Sequence, residues 1–203
     1  MLTPLTFVGN DHALLQALRA GHPGAAAAFY DQHAAHVSRT LRSVLGADDE
    51  IPDLLQEVFI RAIDGIGKVR EIDRIGSWLT TIAIFVAREQ IRRRSRRSWL
   101  RTFSPEHAAP RHHEQPSWEA RSALREVYEV LNSLPLDERM AFALRYIDGM
   151  TLPGAAEASK TSLATLKRRL ARAETKFLQA AGKRPVLDPW MEKGKRWNVQ
   201  KQS

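Results

Sequence analysis

Apolar residues recur at intervals of three and four along most of the chain and nowhere keep the interval of two that a half-buried strand needs. The pattern predicts helices throughout. Asp11 caps a short first helix with Leu14, Leu15 and Leu18, closed by Gly21-His22-Pro23. A second helix runs to about Leu45, with Phe29, His33, Val37, Leu41 and Val44 on one face. The clearest amphipathic segment, 51–63, sets Ile51, Leu54, Leu55, Val58, Phe59, Ala62 and Ile63 in one stripe, opposite Asp53, Gln56, Glu57 and Arg61. A fourth helix turns Ile75, Leu79, Ile82, Ala83, Val86 and Ile91 inward and ends among arginines.

Over 95–117 the periodicity fails among Pro105, Pro110 and Pro116, which reads as a flexible linker. Ser117 then caps a helix with Leu124, Val127, Tyr128 and Leu131 on one face, and Leu134-Pro135 stops it. A helix over 136–147 ends at Asp148-Gly149. Segments 152–158 and 162–180, joined at Ser159-Lys160-Thr161, have the outline of a helix-turn-helix. The expected organisation is all-α, with two small helical domains at 1–94 and 118–182, a linker at 95–117 and a basic C-terminal tail at 183–203 carrying Trp190 and Trp197.

Composition narrows the function. The net charge is +8, which favours a polyanionic partner and puts nucleic acid first. There is no cysteine, so disulfides, thiolate metal sites and a cysteine nucleophile are excluded. Met1-Leu2-Thr3-Pro4 lacks the start of a signal peptide, and the longest apolar stretch, from Trp78 to Ala87, is about half a membrane span. A soluble cytoplasmic protein with no membrane insertion is expected. His112-His113-Glu114 has no third or fourth ligand at a useful spacing, and neither a phosphate-binding glycine loop nor a Ser-His-Asp arrangement stands out. No cofactor, metal or catalytic residue is therefore expected, and the protein is read as not an enzyme.

Two features carry nucleic-acid chemistry. Arg88, Arg92, Arg93, Arg94, Arg96, Arg97 and Arg101 follow Trp78 and Phe85 on one helix, a combination that tracks phosphates beside rings on which unstacked bases sit. A solvated helix end enriched in cations is the plainer account. In the second feature, Leu163, Leu166 and Leu170 would face a core and leave Thr165, Lys167, Arg168, Ala171 and Arg172 for the major groove and its phosphates. The acidic face of Asp53, Gln56 and Glu57 reads, on spacing alone, as a solvated surface.

Asp53-Leu54-Leu55-Gln56-Glu57-Val58-Phe59 resembles the Asp-Leu-Val-Gln-Glu-Val-Phe signature of sigma domain 2, and Trp78-Leu79-Thr80-Thr81-Ile82-Ala83 follows at the expected distance. Thr165 to Ala173 resembles the Thr-Val-Lys-Ser-Arg-Leu-x-Arg-Ala run of domain 4, so over 11–180 the chain resembles an extracytoplasmic-function (ECF) sigma factor of bacterial RNA polymerase. The resemblance implies a promoter-specificity subunit whose partners are core RNA polymerase, promoter DNA and, where one exists, an anti-sigma factor. It places Asp53, Leu54, Gln56, Glu57 and Phe59 against the polymerase. It places Trp78, Thr81, Phe85, Arg88, Arg92, Arg93 and Arg94 at the minus-ten element, and Thr165, Lys167, Arg168, Arg169 and Arg172 at the minus-thirty-five element. Phe85 stands where the family often has a polar residue, Gly154-Ala155-Ala156 replaces Glu-Ile-Ala, and Ser159 replaces the turn glycine. A stand-alone helix-turn-helix regulator, a small nucleic-acid enzyme with Glu89 beside the basic stripe, and a structural RNA-binding protein are the competing readings.

Overall fold

The computed structural model describes residues 11–46, 48–69, 75–100 and 118–187, and contains helices and no strand among them. Helices α1 (Asp11–Arg19), α2 (Ala25–Leu45), α3 (Ile51–Gly65) and α4 (Ile75–Leu100) form an N-terminal unit. Helices α5 (Trp118–Ser133), α6 (Leu136–Phe142), α7 (Leu152–Ala158) and α8 (Leu163–Ala181) form a C-terminal one. Phe29, Val37, Leu41, Val58, Leu79 and Ala83 fill the space between α2, α3 and α4. Around Phe142, its ring stacked on Phe177 at 4.6 Å, a second cluster joins α5, α6 and α8.

Three expectations change. The fourth helix does not stop at residue 94 but continues through Leu100, because the intervening arginines are good helix formers. The rest of the expected linker, 101–117, lies outside the described residues, as does the tail from 188 with Trp190 and Trp197. The C-terminal unit in turn extends past Gly182, where a 3-10 turn at Pro185–Leu187 buries Leu187 and Arg184 pairs with Glu126 and Glu129 of α5. Finally, the first apolar cluster is not confined to the N-terminal unit, for Leu144, Ala155, Leu166 and Leu170 join it from the other side.

The contact between the units is polar as well. Gly46 ends α2 at φ 83°, a region that glycine alone adopts freely, and its N–H donates to the Arg42 carbonyl. The Tyr128 ring of α5 lies directly over it, with ring carbons 3.0 Å from where a Cβ would stand. The Tyr128 hydroxyl donates to the Arg42 carbonyl at 2.8 Å, and Arg139 of α6 donates to the Val44 carbonyl through Nε at 3.0 Å and Nη2 at 2.6 Å. Thr40 donates to Asp148 at 3.3 Å. Helices leave their last carbonyls unsatisfied, and here Arg139 of the C-terminal unit satisfies that of Val44, while Tyr128 adds a second donor to the Arg42 carbonyl already bonded by Gly46.

Candidate nucleic-acid interface

The helix-turn-helix is built by local chemistry. Thr151 caps α7 by accepting from the Gly154 N–H at 3.2 Å, and a Cβ on Gly154 would stand only 3.1 Å from that hydroxyl, so the glycine admits the cap. In the turn the positive φ falls on Lys160, at 50°, whereas Ser159, which replaces the turn glycine, is right-handed at −82° and unstrained. Ser162 then caps α8, accepting from the Thr165 N–H at 3.1 Å and donating to the Thr165 hydroxyl at 2.9 Å.

Leu166 and Leu170 pin α8 to the core, but Leu163, expected beside them in the first turn, is 39% exposed. Lys167, Arg168 and Arg172 are exposed and form no ion pair among the described residues. Arg169 behaves differently. It is half-buried, with Nη2 2.5 Å from Oδ2 of Asp137.

On α4 the basic stripe divides in two. Arg92 and Arg96 are exposed, make no ion pair among the described residues, and line a groove of about 470 Å³ with Phe85, Arg88, Glu89 and Ser95. Arg93 pairs with Glu89 at 3.3 Å, and Arg94 is held by Asp48 and Glu50, both carboxylates raising its already high pKa. Arg88 is mostly buried beside Asp137. Glu89, the carboxylate beside the basic stripe, is neutralised by Arg61, which hydrogen-bonds it at 2.8 Å and lowers its pKa, and the same guanidinium lies 5.2 Å from the centre of the Phe85 ring. Phe85 is 57% exposed, an aromatic surface flanked by cations. Trp78 is partly buried against Gly65 at the end of α3, and the Thr81 hydroxyl donates to the Ser77 carbonyl of its own helix.

The expected polymerase face also divides. Asp53 and Gln56 are exposed and Glu57 is half-exposed, paired with Arg61. Leu54 and Phe59 are buried, with Phe59 against the rings of Phe29 and Tyr30, so they support the face from beneath. Ile60, 61% exposed between these polar residues, was missed by sequence reasoning although it falls off the apolar stripe, and Ile63, expected inward, lies outward with it. No cluster of His, Cys, Asp or Glu able to hold a metal occurs among the described residues, and no helix among them is long and apolar enough to cross a membrane.

Comparison with known proteins matches both units. Residues 29–97 match the model of sigma-70 region 2, and 124–177 match that of sigma-70 region 4. The chain is 32% identical over 130 residues to the ECF RNA polymerase sigma factor SigC of Mycobacterium tuberculosis, covering 64% of this chain and 69% of that one. It is 29% identical over 141 residues to the ECF sigma factor EcfG of Rhodopseudomonas palustris, covering 66% and 73%. Against the ECF sigma-E factor of Haemophilus influenzae it is 27% identical over 173 residues, covering 81% and 91%. Among solved structures, CnrH in complex with the cytosolic domain of CnrY shares the fold at a TM-score of 0.61 with 22% identity, covering 86% of this chain and 98% of CnrH. RpoE in complex with the anti-sigma factor NepR from Bartonella quintana shares it at 0.57 with 20% identity, covering 75% and 95%.

Proposed function

The chain belongs to the extracytoplasmic-function group of the sigma-70 family, and from that membership we propose how its surfaces divide the work of transcription initiation. It is a promoter-specificity subunit, which binds core RNA polymerase and directs it to promoter DNA. It does so in the cytoplasm and without a reaction of its own.

In this reading Asp53, Gln56, Glu57 and the exposed Ile60 dock on the polymerase. Phe85, Arg92 and Arg96, with Trp78 and Thr81 at the other end of the same helix, take the opened minus-ten element. Lys167, Arg168 and Arg172, with Thr165, read the minus-thirty-five element. The observation that carries the assignment is the side of α8 on which three cations stand free of carboxylates among the described residues while Leu166 and Leu170 opposite them are buried, which is the arrangement a helix needs to lie in a major groove. An anti-sigma factor is a further partner, since the RpoE structure of the same fold was solved with one.

Run-off transcription of genomic fragments by core polymerase, with and without the protein, tests the reading. Discrete new start sites with a shared upstream sequence are expected. No initiation together with no binding to core polymerase would return the chain to the class of independent helix-turn-helix regulators, which the match to region 2 disfavours.

A further inference from the structure

Asp137, in the first turn of α6, bridges the two nucleic-acid surfaces. Its Oδ1 lies 3.1 Å from Arg88 Nη2 on α4, and its Oδ2 lies 2.5 Å from Arg169 Nη2 on α8. Two oxygens of one anion, each facing an arginine from a different unit, is an arrangement a backbone phosphate also offers. We propose that Asp137 is an internal stand-in for a DNA phosphate, a latch that keeps the free protein closed and its Arg88 and Arg169 occupied until nucleic acid displaces it. The proposal rests on the promoter-binding reading above and extends it to Arg88 and Arg169, which the family resemblance places at the two promoter elements.

Three observations support a latch that is both built and poised. The closed contact is specific: Gly46 admits the Tyr128 ring, and Tyr128 and Arg139 complete the carbonyl end of α2. It also carries a cost, since Arg139 is only 6% exposed and bonds to the Val44 carbonyl and the Asn132 side-chain oxygen rather than to a carboxylate. Burial accordingly lowers its pKa to about 10. A guanidinium desolvated without an anionic partner makes closure less favourable than its hydrogen bonds suggest. Lastly, Arg88 meets Asp137 as an ion pair without hydrogen-bond geometry, and its buried Nε and Nη2 have no acceptor. A phosphate, with more oxygens and freedom to approach, satisfies donors that Asp137 leaves open.

The test uses the full chain without polymerase. Small-angle X-ray scattering reports closure, and fluorescence anisotropy with a labelled duplex of random sequence at low salt reports access to the arginines. Asp137→Asn is expected to enlarge the radius of gyration and tighten duplex binding about fivefold, the scale of losing a partly exposed ion pair. Removing a negative charge could tighten binding by itself, so Tyr128→Phe serves as a second opening that changes no charge and removes the hydrogen bond to the Arg42 carbonyl. It should act in the same direction by about threefold, the loss of one hydrogen bond. Unchanged scattering in both variants overturns the latch, and so does tighter binding by Asp137→Asn alone without expansion. Failure of the promoter-specificity reading is seen separately, as absence of run-off product with wild-type protein and core polymerase, and leaves the scattering result interpretable.

Discussion

Replacing Gly46 by alanine tests whether the two units meet in solution as they do in the structure. Two penalties are built into that position. Its backbone, at φ 83° and ψ −155°, lies in a region that is essentially glycine's alone, where an L-residue is strained by about 1–3 kcal/mol. The added methyl would also stand 3.0 Å from two carbons of the Tyr128 ring, an overpacking of about 1–3 kcal/mol. The first penalty belongs to the N-terminal unit and persists however the units are arranged, whereas the second exists only when Tyr128 is seated. Urea unfolding of wild type, Gly46→Ala, Tyr128→Ala and the double variant separates them as a double-mutant cycle. Gly46→Ala should cost about 3 kcal/mol in the wild-type background and at least about 1 kcal/mol less once Tyr128 is truncated. A coupling energy of zero would refute the seated ring, and a Gly46→Ala variant as stable as wild type would refute the left-handed end of α2.

The remaining predictions address function and acid sensitivity. Ile60→Glu, and separately Asp53→Lys, should weaken retention on immobilised core polymerase at least about tenfold if this is an interface centre, with an unchanged far-ultraviolet circular dichroism spectrum; undiminished retention by both would remove α3 from the contact. Arg172→Ala or Lys167→Ala should change transcription most on promoters altered at particular upstream positions, by about 1–3 kcal/mol for a base contact. Equal loss on every promoter would reduce the residue to a phosphate contact. His33 has its pKa held below the ordinary 6.5 by burial against Phe29, helped by His36 and opposed by Asp11. The folded chain therefore binds fewer protons than the unfolded chain just under pH 6.5, so stability should fall as pH drops through that window and level off below the lowered pKa. His33→Gln should flatten that slope in urea midpoints taken across the window, and a slope unchanged by the substitution would show that other groups cause it.

The helices and their order were legible because each buries a stripe that the spacing of three and four displays directly, as in Ile51, Leu54, Leu55, Val58 and Phe59. Errors came where burial depends on what lies opposite. Leu124 and Leu163 continue apolar patterns yet are exposed. Leu54 and Phe59 are buried while Asp53 and Gln56 of the same signature are exposed, a distinction that a motif does not make. Sequence reasoning had no access to Asp137 or Arg139, whose partners Arg88 and Val44 are distant in the chain. The end of α4 was misplaced because arginine runs resemble a linker in composition while favouring helix in propensity.

The division of the α4 stripe bears on how salt should act on complexes with nucleic acid. A cation contributes to the ionic-strength dependence of binding when it displaces ions condensed on the phosphates, each full contact steepening the logarithmic slope by about 0.9 on duplex and 0.7 on single strands. Arg93 and Arg94 are already neutralised by carboxylates of their own unit, whereas Arg88 and Arg169 reach phosphate only as Asp137 is displaced. The free cations of α4 and α8 described above, together with these two once the latch opens, then set the slope, and the number of arginines in the sequence overstates it.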